Sequence, residues 1–203
     1  MSAESPYGID RIRAAFDDAD YWQARLAFVA GGARLDELST AGDGTTTMQM
    51  SMRFGGDDLP GPLRRLRVGT LHVVQREEWS ALDGDVVRCS IAVDAPRTPI
   101  SGHGSVTLRR AVTGTRLVGT AVVDVRMPVI GGAIAGFIAG VLANGIVDVV
   151  SVTDAYLDGE KPVRSPAVAS LTSWHSTRTI ARPSWPNPST SVRCRCRAPT
   201  VDR

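Results

Sequence analysis

The sequence predicts an α+β fold, in which a curved antiparallel sheet of about six strands packs around one long C-terminal helix. Three observations predict this class. Residues 5–29 show two short helical periods, and residues 34–127 alternate apolar and polar side chains between tight turns. An almost uncharged stretch with helical spacing then runs from Met127 to Leu157. We therefore expect two short helices, a strand meander and a long helix, in that order.

The two N-terminal helices are predicted from capping residues and apolar spacing. Ser5-Pro6 is expected to start the first helix, with the hydroxyl as cap and Pro at the first helical position. Ile9, Ile12 and Phe16 mark its buried side. The second helix is predicted over Tyr21–Val29, with Trp22 and Leu26 on one side, and Gly31-Gly32 ends it.

Six strands follow, because turn signals separate runs of period two. Asp43-Gly44, Asp83-Gly84 and Thr113-Gly114 are hairpin signals, and such hairpins make neighbouring strands antiparallel. The predicted strands are Arg34–Ala41, Thr45–Phe54, Val68–Ala81, Val86–Ala95, Gly102–Val112 and Thr115–Met127.

Two strands carry the residues of most functional interest. Met48, Met50 and Met52 alternate with polar residues, so three thioethers line one face of the second strand. In the third strand the odd-numbered residues contain the larger apolar side chains, so this set is expected to face inward. Gln75, Glu77 and Trp79 belong to it, and a buried polar group needs a partner. An Arg on a neighbouring strand is the expected partner of Glu77.

The stretch from Met127 to Leu157 allows two interpretations. It is long enough for a membrane span, and Gly132, Gly136 and Gly140 have the spacing of close-packed membrane helices. However, it is rich in Gly and Ala, and Asp148 and Asp154 continue its helical period. These features favour a helix of a water-soluble domain, whose apolar stripe includes Phe137, Ile138, Val141 and Leu142.

Composition divides the chain into a domain, residues 1–162, and a tail, residues 163–203. The tail is rich in Arg, Ser and Pro and shows no helix or strand period, which indicates a disordered segment or an out-of-frame translation. The formal net charge is +2, and the domain has no basic face for nucleic acid. Cys89, Cys194 and Cys196 form neither a disulfide framework nor a metal motif, and no cofactor motif is present. With no secretory signal at the N-terminus, a cytoplasmic location is expected.

Three stretches carry a resemblance: SAESPYGIDRIRAAFDDADYWQARL, LHVVQREEW and MPVIGGAIAGFIAGVLANGIVDVV. The chain resembles the helix-grip superfamily, which includes START lipid-transfer domains, polyketide cyclases and pollen-allergen-like proteins. Within it, residues 2–160 look like an actinobacterial family of unknown function. The superfamily normally opens with a strand, of which only Met1-Ser2-Ala3 could be a remnant. That seventh strand is therefore expected to be truncated, which would leave the edge of Thr115–Met127 unpaired.

Three functional hypotheses follow. The first is a binding or carrier protein for an apolar, lipid- or polyketide-like molecule held between sheet and helix. Its predicted ligand-binding residues are Met48, Met50, Met52, Gln75, Glu77, Trp79, Phe137, Ile138, Val141 and Leu142. The second is a cyclase- or hydratase-like enzyme that uses the same cavity, with Glu77 as the catalytic acid or base. The third is a homodimeric or membrane-associated interaction protein, which docks through small residues of the 130–157 helix.

Overall fold

The computed structural model describes residues 2–27, 29, 32–54, 70–126, 132, 149–159 and 192–195, with backbone alone for the last range. Its order is β1 (Ser2–Ser5), α1 (Ile9–Ala15), α2 (Ala19–Leu26), β2 (Ala33–Thr40), β3 (Thr46–Phe54), β4 (Leu71–Trp79), β5 (Val86–Ala95), β6 (Ile100–Ala111) and β7 (Gly114–Val125). Residues 149–157 are helical and are called α3 here. β8 (Val192–Arg195) completes the described elements.

The sheet confirms the predicted α+β class and the antiparallel meander. Its strand order is β1-β7-β6-β5-β4-β3-β2, and consecutive strands from β2 to β7 are hydrogen-bonded neighbours. Every pair in this path is antiparallel. β8 adds a parallel pairing of residues 192–195 with Ala121–Asp124 of β7. This strand lies in the segment to which the sequence assigned no fold; the division at residue 162 stays a prediction.

The first strand is present but short. Residues 2–5 pair with β7 from Ser2 opposite Val118 to Ser5 opposite Thr115. The strand that was expected to have an unpaired edge is therefore paired by β1 along these four residues. Four residues are too few to show an alternating pattern, so the sequence could not reveal this strand.

Ser5 does not cap α1, contrary to expectation. It is the last residue of β1, and the helix begins later, with Gly8 as N-cap and no side-chain cap. The Ser5 hydroxyl instead accepts a hydrogen bond from the Tyr7 backbone N–H and donates one to Asp154 Oδ1 at 2.5 Å. A hydroxyl at a chain reversal can satisfy nearby backbone without starting a helix.

One core lies between the inner face of the sheet and the helices. Its buried members come from both short helices, from β3 to β7 and from α3, which contributes Val150. Phe16 is central: its ring centroid lies 4.4 Å from that of Trp79 and 6.0 Å from that of Trp22. Phe16, which follows α1, and the aromatic residues of α2 therefore pack against the inner face of β4 near Trp79.

The long C-terminal helix was predicted from Met127 to Leu157. Its described helical residues are Gly132 and 149–157, and the rest of that prediction falls outside the described residues. α3 is tied to the N-terminal elements by side chains: the Tyr21 hydroxyl lies 3.0 Å from Thr153 Oγ1, and Arg11 Nη2 donates to the Leu157 carbonyl at 2.5 Å.

Candidate functional site

The inner face of β4 carries three polar or aromatic side chains in a row. Gln75, Glu77 and Trp79 alternate with exposed or outward residues, as the period-two pattern predicted. Register places Glu77 opposite Met48 on β3 and opposite Ile91 on β5. A carboxylate is thus held among apolar neighbours in the middle of the sheet.

Glu77 is fully buried and forms a bidentate ion pair with Arg25 of α2. Arg25 Nη2 lies 2.8 Å from Glu77 Oε1, and Arg25 Nη1 lies 3.0 Å from Oε2. The Arg25 side chain is 14% exposed, and its guanidinium carbon lies 5.0 Å from the Trp22 ring centroid. This parallel geometry is the strongest arrangement of an Arg–carboxylate pair.

Two further N–H donors fill the remaining acceptor positions of the Glu77 carboxylate. Gln75 Nε2 donates to Glu77 Oε1 at 2.6 Å, and Trp79 Nε1 donates to Oε2 at 2.9 Å. Each oxygen therefore accepts two N–H groups, which fills the four acceptor positions of a carboxylate. A carboxylate in this state has no free position for a substrate proton, so the arrangement is structural chemistry rather than that of a poised general base.

The Glu77 carboxylate also shifts the pKa of two nearby groups, its partner Arg25 and the Cys89 thiol. Burial by itself would lower the pKa of the Arg25 guanidinium, but the adjacent Glu77 carboxylate outweighs it and raises that pKa. Burial, and then the Glu77 charge, raises the pKa of the Cys89 thiol. Both groups therefore keep their protons at neutral pH, and Cys89 is an inert core residue rather than a nucleophile.

Sequence reasoning placed Glu77 inward and gave it an Arg partner, but the expected position of that partner is wrong. Arg25 comes from a helix and not from a neighbouring strand. The signal that could have found it is helical spacing, because Arg25 follows Trp22 by three residues and so lies near the same side of α2.

The predicted ligand-binding residues fall into three groups. Met48, Met50, Met52, Glu77 and Trp79 are buried, and all but Glu77 belong to the apolar core cluster. Gln75 is partly exposed. Phe137, Ile138, Val141 and Leu142 lie outside the described residues.

The inner face of the sheet is covered unevenly. Around Gln75, the inward-facing Val73, Ile91 and Val93 are only partly buried, whereas Met50 and Met52 beside them on β3 are buried. On the next strand the inward positions opposite Ile91 and Val93 are Gly104 and Gly102. We call Val73, Gln75, Ile91 and Val93, with these two glycines, the open patch.

Residues 102 and 104 are glycine because β6 and β7 approach each other closely at these positions. A Cβ at Gly104 would lie 2.7 Å from the Thr120 carbonyl oxygen of β7, and one at Gly102 would lie 3.1 Å from that of Val122. A side chain at Gly104 would force β6 and β7 apart, and one at Gly102 would need a smaller shift of β7. The same two residues bring no side chain into the concave side.

Two depressions lined by described residues lie elsewhere. One, of about 310 Å³, is formed by the β5–β6 turn with Arg97 and Arg126; the other, of about 440 Å³, lies between β1 and α3 and is lined by Glu4, Asp154 and Asp158 among others. Neither is the predicted cavity beneath the sheet.

Metal ligands and membrane spans were also sought in the described part of the chain. These residues contain no cluster of three or more His, Cys, Asp or Glu side chains arranged to hold a metal. Within the same residues, no helix combines the length and apolar character of a membrane span.

The fold and the site define a class: an α+β protein with a large antiparallel sheet, whose inner face holds a saturated Arg–Glu pair beside the open patch. Residues 1–157 match the family described as "Protein of unknown function (DUF2505)". The chain belongs to this family.

Similar proteins agree with this assignment. Uncharacterized protein Rv0481c of Mycobacterium tuberculosis is 30% identical over 139 residues, which cover 65% of this chain and 80% of the relative. Uncharacterized protein Mb0491c of Mycobacterium bovis shows the same identity and coverage. These mycobacterial relatives confirm the expected resemblance to an actinobacterial family of unknown function.

A solved structure shares the fold. The crystal structure of TTHA0849 from Thermus thermophilus aligns with a TM-score of 0.50 at 11% identity, and the match covers 78% of this chain and 95% of that protein. At this identity the likeness concerns the fold alone.

Proposed function

We propose that this chain is a binding or carrier protein for an apolar small molecule, which it holds against the open patch of the concave face. One observation supports this proposal above the others: Val73, Ile91 and Val93 face inward and stay partly exposed, whereas the inward residues Met50, Met52 and Val123 on nearby strands are buried. Exposed apolar surface on a concave face is where small-molecule sites usually form.

The proposal changes the expected ligand contacts. Met48, Met50, Met52 and Trp79 are assigned to the core, because they belong to the same buried cluster as Phe16 and the α2 residues Tyr21 and Trp22. Gln75 keeps its role as a ligand contact, and Val73, Ile91 and Val93 join it. Phe137, Ile138, Val141 and Leu142 remain proposed contacts from the sequence pattern.

The resemblance to the helix-grip superfamily supports the same location, since a sheet gripping a C-terminal helix would hold its ligand between the two. That superfamily assignment, the long helix and the cytoplasmic location are parts of the proposal. The apolar molecule need not react, because the four donors around Glu77 argue against its use as an acid or base.

Nile red binding to the open patch and to a matched control site tests the proposal. Val93 faces inward on β5, whereas its neighbour Ala92 is exposed on the outer face. We expect saturable, blue-shifted fluorescence with the unmodified chain. Val93→Trp should fill the patch and weaken binding about tenfold or more, while Ala92→Trp should leave it unchanged.

Two results would count against the carrier function. Unmodified chain that gives no saturable signal has no accessible apolar site for the dye. Equal loss in Val93→Trp and Ala92→Trp would mean that the dye binds away from the open patch. Native mass spectrometry of chain purified from a mycobacterial host would then show whether any ligand accompanies it.

A further inference from the structure

The orientation of the Gln75 amide is fixed by its neighbours. Gln75 Nε2 lies 2.6 Å from Glu77 Oε1, the same oxygen that accepts from Arg25 Nη2. A carboxylate paired with Arg is an acceptor only, so Gln75 must turn its NH₂ group toward it. The opposite orientation would bring two acceptor oxygens into contact next to a buried negative charge.

This orientation turns the Gln75 carbonyl oxygen away from the ion pair. No described residue donates a hydrogen bond to Gln75 Oε1. Its register partners are Met50 on β3 and Val93 on β5, neither of which has a side-chain donor. Within the described residues this acceptor oxygen has no donor, and Val73 and Val93 occupy the neighbouring inward positions of β4 and β5.

The amide nitrogen is less suited to contact a ligand. One of its hydrogens is directed at Glu77, and an acceptor placed on the other hydrogen would lie close to the same carboxylate. A hydroxyl hydrogen placed on Oε1 meets no such repulsion. The local chemistry thus discriminates between ligands that donate and ligands that only accept.

We propose that Gln75 Oε1 is the polar recognition point of the open patch and that the ligand is an apolar molecule presenting a hydroxyl or N–H donor to it. Molecules of similar size that present only a carbonyl or ether oxygen should bind less well. This inference rests on the proposed carrier function and specifies its ligand class.

Three matched probes test the inference: 1-decanol, decyl methyl ether and 2-decanone, each used to displace Nile red from the full chain. We expect 1-decanol to bind about five- to tenfold more tightly than the other two, as one hydrogen bond to a neutral acceptor predicts. Gln75→Met removes the acceptor while keeping a long side chain, and should reduce the preference to about one. Gln49→Met, on the outer face of β3, should keep it.

The outcomes separate the inference from the carrier function. Equal affinity for the three probes, stronger binding of the ketone, or an unchanged preference in Gln75→Met would overturn the inference and leave the carrier function standing. Absence of binding by all three probes and by Nile red would overturn the carrier function and the inference with it. The selectivity of the unmodified chain is decisive even if Gln75→Met does not fold.

Discussion

At the scale of single residues, the Glu77 carboxylate is the point on which the buried polar contacts of the core converge. Glu77→Gln would leave the Arg25 guanidinium buried without a counter-charge, and we expect it to lower the free energy of unfolding by about 3 kcal/mol. Urea denaturation measures this. Glu78→Gln is the matched control, because Glu78 pairs with Arg76 on the outer face with both side chains nearly half exposed, and it should cost less than about 0.5 kcal/mol. Similar losses in the two variants would contradict this account.

The Asp154 carboxyl makes the stability of the folded chain depend on pH, and its surroundings determine the sign of that dependence. Burial, and then the negative charge of Asp158, raises the pKa of Asp154, while its hydrogen bond from Ser5 acts in the opposite direction. A carboxyl whose pKa is higher in the folded chain than in the unfolded chain binds more protons when folded. It therefore costs stability as the pH rises from its unfolded pKa, near 3.8, through the raised folded value.

Asp154→Asn should remove this cost and keep an oxygen to accept the Ser5 hydroxyl. We expect the variant to be more stable than the unmodified chain at pH 7, and this advantage should shrink toward zero as the pH falls below about 3.8. Urea unfolding at a series of pH values measures the difference. A difference that stays constant with pH would show that Asp154 titrates alike in the folded and unfolded chains.

The sequence predicted the direction of single side chains better than their partners. Gln75, Glu77 and Trp79 point inward as their alternation required, because period two is a local property of a strand. The contact between Arg25 and Glu77 spans 52 residues of sequence and depends on how α2 docks, which no local pattern encodes. Ser5 was misread for a related reason, since its hydroxyl bonds to Asp154 across 149 residues.

At the scale of elements, the hairpin turns were predicted correctly because specific residues require them. Asp43-Gly44, Asp83-Gly84 and Thr113-Gly114 lie between paired strands, and each glycine has a positive φ. The short β1 strand was expected only as a remnant at Met1-Ser2-Ala3, from the family resemblance, although it pairs along four residues of β7. Pattern reasoning thus finds elements that carry their own signal and misses those defined by a partner.

Two of these turn glycines make a matched pair of substitutions. Gly84 has φ 58° and open space around a Cβ, whereas a Cβ at Gly114, with φ 117°, would overlap the carbonyl oxygen of Ser5. Gly84→Ala should therefore cost about 1 kcal/mol for its backbone conformation alone. Gly114→Ala must also displace β1 and should cost about 3 kcal/mol. Urea unfolding compares them, and equal costs would show that β1 does not dock tightly at this turn.

At the scale of the whole molecule, the described core ends where the family match ends. The buried cluster draws on residues from Ile9 to Val150, and its partly buried margin reaches Leu157. The family match covers residues 1–157. The pattern of charge and composition placed the end of the domain at residue 162, and cooperative unfolding offers a direct test of that boundary.

A chain ending at Pro162 should unfold cooperatively, with a midpoint temperature within about 2 °C of the full chain. The reason is that residues 163–203 show no helix or strand period in the sequence, and a shift of that size corresponds to less than about 1 kcal/mol. Removal of residues 2–5 is the comparison, because β1 and β8 both pair with β7. Losing β1 also removes the Ser5–Asp154 hydrogen bond. The midpoint temperature of the chain without residues 2–5 should therefore fall by about 4 °C or more. If truncation at Pro162 gave the larger fall in scanning calorimetry, β8 would be an integral strand and the boundary at residue 162 would be wrong.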